Sequence, residues 1–142
     1  MSVEIASRRV CDTYVIALAG EVEMSNINEV EPYFDAPFES GERLLIVDLE
    51  GLTFMDSRMA LLLARNLGRA RRAGGDLAVV CLESSVCRLL ELLGLKDKLQ
   101  VYESVEQAAA TLAQAQAGSD APSPAKTNVL GNGRGSRISG PL

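Results

Sequence analysis

Asp56 and Ser57 stand side by side where an apolar run gives way to helical spacing, and a hydroxyl next to a carboxylate at a helix start has two chemistries open to it. Either side chain can accept a hydrogen bond from the unpaired amides of the first turn, which is simple capping. A serine in that place also suits a phosphate, because the same amides and the helix dipole present positive charge to it. The residues alone leave both readings open. Other chemistries are closed by composition. The chain has no His, which excludes an imidazole base, Ser-His-Asp and Cys-His nucleophiles and His-zinc sites. Cys11, Cys81 and Cys87 are widely spaced with no CxxC, against a disulfide framework or a zinc site and in favour of a reducing compartment. Cys81 and Cys87 lie in apolar runs and read as buried small hydrophobes, whereas Cys11 lies in a turn and reads as exposed.

Two weaker candidates complete the list. Glu21 and Glu23 follow a strand-like run and Asp48 ends the next one. Three such acids suit Mg²⁺, but exposed strand-end carboxylates are the commoner arrangement, so the reading includes no metal and no cofactor. Gly131-Asn132-Gly133-Arg134-Gly135 has the glycines of a phosphate loop with no strand before it and no helix after it. It reads as linker. Without base, metal cluster or P-loop, an enzyme is disfavoured.

The elements that must position Ser57 follow from the apolar pattern. The chain has 142 residues, 47% of them apolar, which suits one hydrophobic core. Lys and Arg number 14 against 19 Asp and Glu, a net charge of −5. That sign disfavours direct nucleic-acid binding and attachment to an anionic membrane surface. No apolar run approaches the roughly 18 residues that cross a bilayer, and the first residues carry charge instead of an apolar leader. The expectation is a soluble, cytoplasmic protein without membrane insertion. Composition shifts near Ala117: Gly, Ser and Pro supply 12 of the 25 residues from Gly118 to Leu142. Such a segment lacks the apolar surface to offset its ordering entropy. The expected organisation is a domain over 1–117, with a net charge of −7, and a disordered tail over 118–142, with +2.

Within the domain, Val3 to Val10 and Thr13 to Val22 read as a hairpin turning at Cys11-Asp12. Ser25 to Asn28 offer caps for a helix through about Phe38, in which Ile27, Val30, Phe34 and Phe38 recur at helical spacing. Arg43 to Leu49 and Asp76 to Leu82 are unbroken apolar runs suited to strands covered on both faces. Between them Ser57 to Ala73 is helical and closes at Gly74-Gly75. Ser84 to Leu93 is a helix, Leu99 to Tyr102 a short strand, and Ser104 to Gln116 a final Ala-rich helix. The order β-β-α-β-α-β-α-β-α predicts a single α/β domain with about five strands in a mixed, mostly parallel sheet and about four helices.

A helical wheel of the segment after Ser57, at about 100° per residue, puts Met59, Leu63, Leu67 and Ala70 on one buried side. Arg58, Arg65, Arg69 and Arg72 fall within about 40° of one another's mean direction, a basic stripe on an acidic domain. It reads either as a solvated face or as a surface that an acidic partner would complement. Ser57, Leu61, Ala64 and Gly68 form the remaining flank. Small side chains there allow close approach, so Ser57, Leu61, Ala64 and Gly68, flanked by Arg58, Arg65 and Arg69, form the candidate partner surface.

The stretch VDLEGLTFMDSRMALLLA, Val47 to Ala64, resembles the core motif of STAS domains, specifically of anti-sigma factor antagonists. The resemblance extends to Gly20-Glu21-Val22-Glu23, to Gly74-Gly75-Asp76-Leu77 and to Val86 through Leu95, and so covers about residues 3 to 115. It implies a non-enzymatic regulator of sigma-factor-dependent transcription, whose partner is an anti-sigma factor with serine/threonine kinase activity. Carried onto this chain, Ser57 is the phosphorylated residue and Glu23 and Asp56 are the acids beside it; the unmodified form captures the partner. Two positions depart from the family pattern: Glu23 stands where Asp is usual, and Arg58-Met59-Ala60 follows the serine where small residues are usual. A second implication of the resemblance is a constitutive STAS subunit of a larger assembly, such as an ABC-type lipid transporter or a stress-signalling scaffold. That role needs no modified Ser57.

Overall fold

Cys11 and Asp12 turn the chain back on itself in a computed structural model that describes residues 2–82 and 85–119. They join β1 (Val3–Val10) to β2 (Thr13–Val22), antiparallel in unbroken register from Val3↔Gly20 to Val10↔Thr13. Cys11 takes the left-handed conformation, φ 57, that a two-residue hairpin turn demands. The chain continues through α1 (Ile27–Glu39), β3 (Leu44–Met55), α2 (Ser57–Arg72), β4 (Asp76–Val80), α3 (Ser85–Leu92), β5 (Gln100–Tyr102) and α4 (Val105–Ser119). The strands lie in the order β1-β2-β3-β4-β5, and every step after the hairpin is parallel. This is the predicted architecture and element order.

The chain divides into two compact units, Met1–Ala110 and Thr111–Leu142. The second is described over residues 111–119, which are helical. Helix α4 thus includes Gly118 and Ser119, two residues beyond the expected start of the tail; the remainder of that expectation, and the Gly131–Gly135 linker, lie outside the described residues.

The side chains explain the layering. Ile16 and Leu18 of β2, Leu45, Val47 and Leu49 of β3, and Leu77 and Val79 of β4 line one sheet face, with Cys81 just past β4 in the same cluster. Val30 and Phe34 of α1, Met59, Leu63 and Leu67 of α2, and Val86, Cys87 and Leu90 of α3 belong to the same hydrophobic cluster. Residues of opposite parity, Val15, Ile46, Ala78 and Val80, are also fully buried. Burial on both faces is why these strands read as unbroken apolar runs. Cys81 and Cys87 are buried and Cys11 is exposed, as their contexts predicted. Helix α1 runs through Pro32 and Pro37, which forgo an intrahelical donor each. Burial of Val30, Phe34 and Pro37 holds it in place.

Strand β3 is longer than its apolar run. The segment Glu50 to Met55, beyond the strand expected over Arg43 to Leu49, pairs with the end of β2 through Ala19↔Gly51, Gly20↔Leu52, Glu21↔Phe54 and Val22↔Met55, with irregularities between Ala17 and Ala19 and between Gly20 and Glu21. Gly51 makes the pairing possible: a Cβ there would stand 2.9 Å from both Ala19 Cβ and the Leu18 carbonyl oxygen. Asp48 is therefore mid-strand, opposite Ala17, and not at a strand end with Glu21 and Glu23. The extension delivers the chain directly to the start of α2.

The other end of α2 is closed by a Schellman motif. Gly74 adopts φ 87, its amide donates to the Arg71 carbonyl, and the Gly75 amide reaches back to Ala70. Gly75 then passes so close to Arg43 that an added Cβ would lie 1.9 Å from the Arg43 carbonyl oxygen. That carbonyl also accepts from the Asp76 amide at 3.0 Å and so fixes the start of β4 beside β3. Gly75→Ala is expected to lower stability by about 1–3 kcal/mol through this overlap, read as a reduced urea midpoint at unchanged m-value.

Candidate functional site

Asp56 is the N-cap of α2, with extended backbone at φ −100 and ψ −177. Its Oδ1 accepts from the Arg58 amide at 3.0 Å, and its backbone oxygen accepts from Met59 at 3.1 Å. Its Oδ2 accepts from the Met24 amide at 3.1 Å, across 32 residues of sequence. The Asp56 amide donates to the Val22 carbonyl at 3.2 Å. One residue thus caps the helix and pins the β2–α1 connection to it. Of the two caps that the sequence allows, the structure uses Asp56.

Ser57 is left as the first helical residue, and it is exposed. No side-chain hydrogen bond of Ser57 occurs among the described residues. Arg58 is exposed beside it, and Leu61, one turn on, is 61% exposed. Met24, held against Asp56 by its amide, leaves its side chain 61% exposed. Exposed Ser57 thus shares the head of α2 with two exposed apolar residues, Leu61 on the helix and Met24 on the connection before α1.

Asn26 holds that connection from the other side. It occupies the N-cap position of α1 but makes no capping bond. It is buried, its Oδ1 accepts from the Glu23 amide at 2.9 Å, and its Nδ2 donates to the Glu21 carbonyl at 2.8 Å. The sequence marked Asn26 only as a helix cap; its bracing role and the part played by Met24 were missed. The signal for Asn26 was present, since Asn side chains readily bond nearby backbone. Glu23 is half-buried, and its carbonyl accepts from the Asn26 and Ile27 amides. The structure accordingly brings Glu23, Asp56, Ser57, Arg58 and Leu61 to one end of α2.

The remaining residues of the predicted surface are engaged by the chain itself. Arg65 Nη2 lies 3.2 Å from Glu31 Oε2, and Arg69 Nη1 lies 2.6 Å from Asp35 Oδ1, both acids on α1. The Arg69 guanidinium also stands 4.5 Å from the centroid of the Phe38 ring. Half of the basic stripe is thus already complemented from within. Each exposed pair stabilises by about 1 kcal/mol or less, with roughly 0.5–1 kcal/mol from the cation–π contact. Among the described residues, Arg58 and Arg72 form no ion pair. Leu62 and Asn66 are buried with the apolar side of α2, so the buried arc is wider than the wheel indicated and reaches the edge of the stripe. Ala64 and Gly68 are half-buried, and Arg72 Nη1 lies 3.3 Å from where a Gly68 Cβ would be. The small-residue flank is partly covered by this arginine and is less open than expected.

A family model described as STAS domain matches residues 4–108. The anti-sigma-B factor antagonist of Staphylococcus aureus (strain NCTC 8325 / PS 47) is 28% identical over 93 residues, which cover 66% of this chain and 86% of that protein. The fold matches the crystal structure of an anti-sigma factor antagonist from Mycobacterium paratuberculosis with a TM-score of 0.74 at 20% identity, over 79% of this chain and 95% of that one. It also matches the Bacillus cell fate determinant SpoIIAA in its phosphorylated form, with a TM-score of 0.60 at 19% identity, over 76% and 98% of the two chains.

The Asp56 geometry generates a stability test. Asp56→Ala removes both the cap and the Met24 bond and is expected to cost about 1–2 kcal/mol. Asp56→Asn keeps a good capping oxygen but replaces the second acceptor with an amide nitrogen, so it should fall between Ala and wild type. Urea unfolding gives the ranking, and the ¹⁵N-resolved amide signals of Met24 and Arg58 show which bond each variant has lost.

Proposed function

Because the chain belongs to the STAS domain family, we propose that it is an anti-sigma factor antagonist: it captures an anti-sigma factor that carries serine kinase activity and loses that partner once Ser57 is phosphorylated. Capture of the anti-sigma factor frees a sigma factor and so regulates transcription. The observation that carries this reading is the exposed Ser57 hydroxyl at the first position of α2, next to the capping carboxylate. The name of the Staphylococcus aureus relative supports the partner class. In the modification step the Ser57 Oγ would take the terminal phosphoryl group of ATP, with its proton passing to a base on the kinase and ADP leaving.

The local geometry suggests how the switch works. A phosphate on Ser57 adds about −1.5 to −2 of charge near neutral pH. Usually a helix start would draw it in, but here the Asp56 carboxylate already holds the Arg58 and Met24 amides. A second anion beside that carboxylate is repelled from it and projects outward, between Met24 and Leu61. An apolar interface seated on those side chains would have to desolvate the phosphate, which weakens binding without unfolding the domain. The partner surface under this reading centres on Met24, Asp56, Ser57, Arg58 and Leu61, with Glu23 at its border and Ala64, Arg65, Gly68 and Arg69 further along α2. The domain of this regulator is residues 1–117, and its place is the cytoplasm, where sigma factors act; no described helix is long and apolar enough to cross a membrane.

Titration calorimetry against the kinase-type anti-sigma factors of the source organism tests the proposal. Ser57→Ala should bind one of them as tightly as wild type while taking up no labelled phosphate from ATP. Ser57→Asp should bind at least about tenfold more weakly, equivalent to about 1.4 kcal/mol. Equal binding by the two variants would instead fit the constitutive-subunit role and would sink the switch.

A further inference from the structure

Strand β1 ends the sheet, and its outer edge is unpaired among the described residues. An edge of this kind offers a row of free amides and carbonyls to any second strand, and proteins usually blunt it with short length, proline, bulges or charge. This edge is eight residues long, contains neither Pro nor Gly, and runs in continuous register with β2. Charge is the one protective device present, and its arrangement is unusual. Glu4 and Arg8 lie symmetrically about Ala6. Glu4, Ala6 and Arg8 are all exposed and share one face of the sheet, opposite Ala19, Ala17 and Val15 of β2. Neither Glu4 nor Arg8 forms an ion pair among the described residues, whereas the neighbouring Arg9 is committed to Glu42 of its own chain.

From this symmetry we infer that β1 is a self-association edge, where two copies of the chain pair antiparallel about a two-fold axis through Ala6. In that register Ala6 faces Ala6 of the second copy, Glu4 faces its Arg8, and Arg8 faces its Glu4. Residues directly opposite in an antiparallel pair have Cβ atoms about 4.5–5.5 Å apart, within reach of an ion pair. The two exposed pairs specify register and partner more than they add affinity; the affinity comes from the main-chain ladder, as in other strand-addition contacts. A two-fold contact is also closed: it consumes the edge of both copies and leaves nothing for a third. The same charges that deter unrelated strands therefore select a second copy of this one. A shift by one residue along the edge would lose the Glu4–Arg8 match and turn the side chains to opposite faces.

Sedimentation velocity on the full chain over a range of concentrations tests the inference, with circular dichroism confirming that each variant is folded. Wild type should show a concentration-dependent monomer–dimer equilibrium. Glu4→Arg places Arg opposite Arg and Arg8→Glu places Glu opposite Glu, so each variant alone should self-associate at least about tenfold more weakly. Mixed in equal amounts, the two variants should form a heterodimer of near wild-type affinity, because every facing pair is then of opposite charge. A wild type that stays monomeric at millimolar concentration overturns the inference, as does a dimer indifferent to both reversals. A mixture no more associated than its separate components would rule out this register and with it the proposed contact. None of these outcomes depends on the state of Ser57.

Discussion

The two oxygens of the Asp56 carboxylate hold two parts of the chain that are remote in sequence. One receives the Arg58 amide of the helix it caps and the other receives the Met24 amide of the connection before α1, at 3.0 and 3.1 Å. Helix starts and loop turns both carry amides that need an acceptor, and here a single side chain serves both. Asn26 completes the arrangement from below, buried and bonded to Glu23 and Glu21. Everything at this end of the molecule takes its position from that pair of polar side chains. The Asp56 amide adds a bond to the Val22 carbonyl at the end of β2, just before that connection.

A consequence is the separation of roles between neighbouring residues. Asp56 does the structural work of the helix start, so Ser57 need not, and its hydroxyl is left facing solvent. This matters for the kind of control the site can exercise. If Ser57 itself were the cap, modification would remove an acceptor that α2 depends on and loosen the domain. With the cap one residue earlier, a charge placed at Ser57 would remove no acceptor that α2 uses.

Helix α2 shows a comparable division along its length. Its apolar side enters the cluster shared by the sheet and α1–α3. Its basic side is met by Glu31, Asp35 and the Phe38 ring of α1, which fixes how the two helices lie against each other. Near the helix start Arg58 has no such counterpart among the described residues, and Arg58, Leu61 and Met24 remain at the surface. The residues beside Ser57 are thus among those α2 leaves open. Far across the sheet, β1 leaves a second open feature of a different kind, a regular strand edge with balanced charge.

Local chemistry made much of this legible. The hairpin boundaries, the start of α2 at Ser57 and its closure at Gly74-Gly75 coincide with what the residues indicate, because turns and caps are set by side chains next to the backbone they satisfy. The both-faces burial of β3 and β4 was equally plain in their unbroken apolar runs. What periodicity could not show is which faces meet. Glu50 to Met55 follows the unbroken apolar run after a Glu-Gly pair and becomes strand because β2 lies alongside and Gly51 lets it approach; the four arginines of one stripe look alike until α1 brings acids to two of them from 34 residues away. The sequence determined the elements, the exposed serine and its acidic neighbour, since these depend on contacts within a few residues. Only the tertiary structure decided that Asp56 also secures Met24, that Arg65 and Arg69 are already matched, and that Arg58 and Leu61 at the head of α2 stay exposed, since those depend on the packing of segments that sequence spacing does not relate.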